Sequence, residues 1–212
     1  MGDQGDIVYL IRRFTHDKIN LLLNGSPWSR AMLARLRRGI GKQPGELPEL
    51  YEIYLENMPE RLYGRGGEPS YSEWAIYTAL TLFALHQQGK NHDTPMSVGW
   101  DPESNELGNS LGGAIGALVS RDRDREPAIK RRFDAVVTAV VFTEFAYHAR
   151  GMIQLLRAES IPLDYARFAE DLFWYQFDEY KNRVRLRWGE DYYRISRRKA
   201  ETENEEDQND KQ

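Results

Sequence analysis

The sequence contains no cysteine, which excludes disulfide scaffolds, thiolate zinc sites, iron–sulfur clusters and thiol nucleophiles, and leaves histidine and carboxylate as the side chains available to a metal. Histidine is scarce too, with four in 212 residues. No run approaches the roughly 18 uncharged apolar residues that a membrane-spanning helix needs. The opening residues, MGDQGDIVYLIRR, lack the basic-then-apolar order of a signal peptide, and Asp6 stands where N-myristoylation expects Ser or Thr. A cytoplasmic protein without membrane contact is expected. Alternating strand patterns with hairpin turns are absent, as are the phosphate-loop glycine motifs and the G-x-S-x-G turn. Nucleophilic catalysis therefore has no anchor, and neither an enzyme nor a cofactor is expected.

What is present is charge, at 29% of residues, with 12% aromatics and a mean hydropathy of −0.68, a composition that suits one soluble globular domain or two small ones. The net charge of −4 misleads, because six acids (Glu201, Glu203, Glu205, Glu206, Asp207 and Asp210) crowd into the last twelve residues beside a single Lys211. Residues 1–200 carry 28 bases and 27 acids, close to neutral but strongly clustered.

Apolar spacings of three and four residues dominate and predict an all-α helical bundle of two packed helical subdomains. Residues 7–23 place Ile7, Leu10, Ile11, Phe14, Lys18, Leu21 and Leu22 on one stripe before Asn24-Gly25. Ser26 then serves as N-cap with Pro27 in the first turn of a helix that ends at Gly39. Beyond the Gly- and Pro-rich run GIGKQPGELP, a short amphipathic turn carries Leu50, Tyr51, Tyr54 and Leu55. Ser70 and Glu73 form a capping-box pattern ahead of a core helix that stops at Gly89. Residues 105–119 read as an apolar helix whose glycines permit close packing. From Ala128 to Ala158 the apolar pattern reads as two helices broken near Gly151, or one kinked there, and it includes His148, expected to be partly buried and hydrogen-bonded. Asp164 caps a further helix, followed by a mixed aromatic and basic segment. The expected organisation is an N-terminal helical part over 1–104, a C-terminal bundle over 105–199 and an acidic disordered tail over 200–212.

Three basic clusters stand out. Arg30, Arg35, Arg37, Arg38 and Lys42 occur with no acid between Ser29 and Lys42, more than the dipole of one helix C-terminus accounts for, and read as a polyanion site. The second combines a self-neutralising SRDRDREP stretch with Lys130, Arg131 and Arg132 on the next helix. Farther along, Arg150 and Arg157 are seven residues apart and share a helix face, as a phosphate-tracking pair or an ordinary solvated face. The third cluster runs from Lys181 to Lys199 with Trp188, Tyr192 and Tyr193 interleaved; Trp188 reads as a buried anchor rather than a base-stacking platform. Metal readings are weak. His92-Asp93 is formally the pair used by metal phosphohydrolases, and Glu144 with His148 are four apart, but no second Glu-His pair completes a di-iron site, and no metal is expected.

Several segments, in order, resemble the CasB family, the small subunit of the type I-E CRISPR surveillance complex Cascade: RAMLARLRRG (30–39), WAIYTALTLFALHQQG (74–89), NSLGGAIGAL (109–118), IKRRFDAVV (129–137), HARGMIQLLRAESIPLDYARFAEDLFWY (148–175) and VRLRWGEDYY (184–193). The resemblance spans about residues 27–194 and leaves out the acidic tail. It implies a non-catalytic all-α subunit, present as a pair, that contacts the other Cascade subunits and the guide RNA. It also implies contact with the target and displaced DNA strands of the R-loop. Carried onto this chain, backbone contact falls to Arg35, Arg37 and Arg38, to Arg121, Arg131 and Arg132, and to Arg150 and Arg157. The competing expectation is a helical protein–protein scaffold with no direct nucleic-acid contact.

Overall fold

The computed structural model describes the backbone of residues 2–209 and the side chains of residues 5–197. Among these, nine α-helices follow one another: α1 (Gly2–Leu22), α2 (Pro27–Arg38), α3 (Tyr51–Tyr54), α4 (Tyr71–His86), α5 (Leu111–Arg121), α6 (Glu126–Thr138), α7 (Phe142–Ala158), α8 (Tyr165–Tyr175) and α9 (Asp178–Asn209). Single 3-10 turns lie at Pro48–Leu50, Glu60–Leu62 and Arg123–Arg125. No strand occurs among the described residues; a lone bridge joins Ser97 and Leu163.

The capping signals work as read. The Ser26 hydroxyl accepts from the Ser29 N–H at 3.0 Å and Pro27 opens α2, whose end is Gly39. At α4 the capping box closes in both directions, Ser70 Oγ accepting from Glu73 N at 3.0 Å and Glu73 Oε2 accepting from Ser70 N at 2.7 Å. Every residue from Ala75 to His86 is buried, so α4 is wrapped rather than amphipathic. Helices α1, α2, α7 and α8 pack around it.

Helix α5 begins at Leu111, later than the apolar run suggests. Ser110 caps it, and the preceding backbone is held elsewhere, Gly108 N–H donating to Asp164 Oδ2 at 2.8 Å while Asp164 also caps α8. The α5 glycines do allow close packing: a methyl on Gly112 would stand 1.9 Å from the Trp188 carbonyl oxygen, and one on Gly116 2.6 Å from that of Tyr192. Helix α9 therefore lies backbone against backbone on α5, and Trp188 is fully buried behind it with Nε1 donating to Asp171 at 2.6 Å.

The expected break near Gly151 is not there. Gly151 is in the middle of α7, and the interruption falls at residues 139–141. Val136, Val137, Val140 and Val141 make this a β-branched stretch of low helix propensity, but the stop is stabilised from outside. The Tyr175 hydroxyl reaches the carbonyls of Val136, Val137 and Ala139 at 3.3, 3.3 and 3.0 Å, Arg185 donates to Ala139 O at 3.0 Å, and Lys181 to Val140 O at 3.3 Å. The free carbonyls at the end of α6 thus find donors on α8 and α9.

In α1, Ile11, Phe14, Lys18 and Leu22 are buried as the stripe requires, while Leu21 is 39% exposed at its edge. Backbone helix continues through α9 to Asn209, into the acidic segment whose composition reads as a disordered tail; its Glu, Ala and Gln are good helix formers extending a helix already nucleated. Residues 210–212 lie outside the described residues. The division expected at 104/105 falls in the connection between α4 and α5, yet α8 packs on both α1 and α4. The buried side chains of both parts form one cluster.

Candidate nucleic-acid interface

Helix α6 buries Ile129, Phe133 and Val136, which turns Ala128, Arg131, Arg132 and Ala135 to the opposite side. Helix α7 buries Phe145, Ala149, Met152, Ile153 and Leu156. It leaves Tyr147, His148, Arg150, Gly151 and Gln154 facing the same space as the α6 arginines. The two helices enclose an open groove of about 670 Å³ between these faces. Its lining has no acidic residue. Arg131, Arg132 and Arg150 are exposed and make no hydrogen bond, ion pair or ring contact with other described residues. Three free guanidiniums from two helices in one concavity form a strongly anion-attracting surface.

The remaining arginines singled out in the sequence lie elsewhere. Arg37 and Arg157 come together although 120 positions apart in the sequence: Arg37 is half-buried with its guanidinium 3.5 Å from the Ala84 carbonyl, and Arg157 donates to Gln88 Oε1 at 2.8 Å. Burial, and then the charge of Arg157, holds the Arg37 pKa below its ordinary value. Such a pair has unused capacity for an anion. Arg38 is paired with Glu49 at 3.1 Å, and Arg35 is half-buried with no partner among the described residues. Arg121 donates to the Glu159 carbonyl at the end of α7, with Arg125 on the Glu159 carboxylate at 3.3 Å; this part of the second cluster anchors a helix C-terminus.

The third basic cluster is largely structural among the described residues. Lys181 and Arg185 cap the end of α6, Arg187 pairs with buried Asp171, and Arg194 with Asp191 at 3.3 Å. Burial pushes the Asp171 carboxyl up against the opposing pull of Arg187 and the Trp188 N–H.

Sequence reasoning missed Tyr147, Gly151 and Gln154 as groove residues. Tyr147 had a readable signal, since it falls off the apolar stripe of its helix and yet is large and aromatic. His148 differs from expectation: it is partly buried, but its polar neighbour is Glu144 at 4.0 Å, and its other face borders the groove. His92 and Asp93 face each other at 2.9 Å, both exposed, and among the described residues no group of three or more His, Asp or Glu is placed to hold a metal ion. No described helix is long and apolar enough to cross a membrane.

Fold and groove together define an all-α helical bundle that carries a basic concavity with no acidic residue in its lining. Residues 32–193 match the family model of the CRISPR-associated protein Cse2, and the chain belongs to that family. It is similar to the crystal structure of CasB from Thermobifida fusca, with 30% identity, a TM-score of 0.68, and coverage of 86% of this chain and 97% of that one. The fold is shared with CasB of M. ruber at 21% identity and a TM-score of 0.61, over 87% of this chain and 97% of the other. No curated protein sequence matches the chain. Membership of the Cse2 family implies a place in a CRISPR Cascade complex, in agreement with the resemblance of the sequence segments.

Proposed function

We propose that this chain is a non-catalytic, cytoplasmic small subunit of a type I-E CRISPR surveillance complex that holds nucleic-acid backbone without reading its sequence. In that role it stabilises the R-loop and the displaced strand during antiviral defence. The observation that carries this reading is the convergence of Arg131, Arg132 and Arg150, unpartnered among the described residues, in one groove without an acid. The Arg37–Arg157 pair supplies a second contact of the same kind. Forming an R-loop exchanges one duplex for another of similar stability, so a few phosphate contacts to the displaced strand shift the balance appreciably. Guanidinium–phosphate contacts add affinity without sequence information, as suits a protein whose guide RNA does the reading. The near-neutral body binds weakly by itself, and attachment to the other subunits, the guide RNA and a second copy raises the effective concentration of the strand.

The test is charge reversal of the groove, Arg131→Glu, Arg132→Glu and Arg150→Glu together, in the assembled complex. The exposed positions leave the melting temperature within a few degrees of wild type, while target-DNA retention falls on the order of tenfold or more and its salt dependence becomes shallower. Unchanged retention, with assembly intact, would instead establish the pure scaffold reading.

A further inference from the structure

Tyr147 is the most exposed large hydrophobic side chain of the described residues, at 74%, and it stands in the wall of the α6–α7 groove. Among the described residues its one ring neighbour is His148, T-shaped with centroids 5.3 Å apart, so no second ring is stacked parallel on the exposed phenol. No contact among the described residues explains this placement. The apolar face of α7 is already filled by Phe145, Ala149, Met152 and Ile153, and the Tyr147 hydroxyl makes no hydrogen bond among the described residues.

Gly151, one turn farther along α7, carries the second observation. A glycine inside a helix costs about 1 kcal/mol relative to alanine, and in α5 that cost is offset because α9 backbone occupies the space a methyl would need. Around Gly151, apart from its chain neighbours and the backbone of its own helix, no atom of the described residues lies within 4 Å of the missing methyl. No internal packing calls for glycine there, and its backbone forms an open floor beside the Tyr147 ring, accessible to a molecule from outside.

We infer that this groove takes an unpaired nucleotide, the base stacked on Tyr147, the sugar over Gly151, and the adjoining phosphates held by Arg131, Arg132 and Arg150. This rests on the nucleic-acid reading above and adds to its backbone contacts a stacking contact between Tyr147 and a base of the held strand. In a duplex both faces of each base are covered by neighbours, so an aromatic wall has nothing to stack on, whereas an unpaired base offers its face whatever its identity. The volume, about 670 Å³, lies within the range of nucleotide-sized sites. Single-stranded DNA and RNA share the chemistry used.

The experiment titrates the full chain at low salt against oligo(dT), oligo(rU) and a DNA duplex of equal length, with 2-aminopurine in the single strands as a reporter quenched by stacking. Tyr147→Ala weakens single-strand binding roughly tenfold and abolishes the quench. Tyr147→Phe retains both, and duplex binding is unaffected by either change. Gly151→Leu fills the floor and weakens single-strand binding with no fall in melting temperature, which separates obstruction from misfolding. Tighter binding of DNA or of RNA supports the inference equally and identifies the strand. If Tyr147→Ala binds single strands like wild type while the triple arginine reversal loses them, stacking is overturned and the backbone clamp stands. If wild type binds no single strand at low salt, the stacking site is likewise overturned, because the groove is already formed in the free chain. The clamp is then judged by the assembled-complex experiment alone.

Discussion

At the scale of the residue, glycine shows how one side chain carries opposite meanings in one protein. Gly112 is required, since its missing methyl is where the Trp188 carbonyl sits, whereas no packing neighbour among the described residues constrains Gly151. Gly112→Ala is expected to force α5 and α9 apart and cost at least about 2 kcal/mol. Gly151→Ala is expected to stabilise by about 0.5–1 kcal/mol through improved helix propensity. Thermal melts of the two variants, read side by side, check the pair, and equal shifts would contradict it. In the sequence both glycines stand among apolar residues at helical spacing. One is legible as a packing residue because four glycines cluster in NELGNSLGGAIGALV; the other reads as a breaker, because isolation in an apolar run is also how a kink reads.

At the scale of the element, local chemistry was the most legible. Ser26, Ser70 and Asp164 start helices α2, α4 and α8 because a short polar side chain there satisfies N–H groups that have no other partner. The stop at 139–141 was not legible, because it depends on Tyr175, Arg185 and Lys181, which are 36 to 46 positions downstream of Ala139 and Val140. Tyr175→Phe removes the hydroxyl that three carbonyls share, and its expected cost is about 1–3 kcal/mol with helix content unchanged. Chemical denaturation followed by circular dichroism measures this, and a variant as stable as wild type would show that the α6 terminus needs no cap from α8. The same contacts explain why the third basic cluster, rich in arginine, contributes less free charge than its composition suggests.

At the scale of the whole molecule, α8 joins the two helical parts through one core, and His86 sits at that junction. It is completely buried, with Nδ1 3.1 Å from the Tyr165 hydroxyl and Nε2 without a hydrogen-bond partner among the described residues. Burial holds its pKa down to about 4 from 6.5, with Lys90 and Arg157 acting in the same direction and the backbone of Ile161 and Leu156 opposing. The unfolded chain therefore binds a proton that the folded chain refuses between about pH 6.5 and 4. Stability falls as pH drops through that window, on the order of 2 kcal/mol by pH 5. The carboxyls of buried Asp164 and Asp171 and of half-buried Glu170, pushed up by desolvation, act with the opposite sign. Between pH 7 and 5 the melting temperature of wild type should fall relative to that of His86→Asn; parallel slopes would remove His86 as a contributor. With one contiguous core, we propose that the two parts melt in a single transition in these scans.

What the sequence by itself determined is the helical class, most of the helix starts and the family, because periodicity and capping depend on residues three or four apart and the family segments keep their order along the chain. It also placed Arg131, Arg132 and Arg150 among the candidates. Only the tertiary structure decided that these three line one groove with Tyr147, that Arg37 stands beside Arg157, and that Arg38 and Arg121 are already engaged. The physical reason is that a charge is available to a ligand only when no partner from another part of the chain neutralises it. Such partners are brought close by the packing of helices onto a shared core.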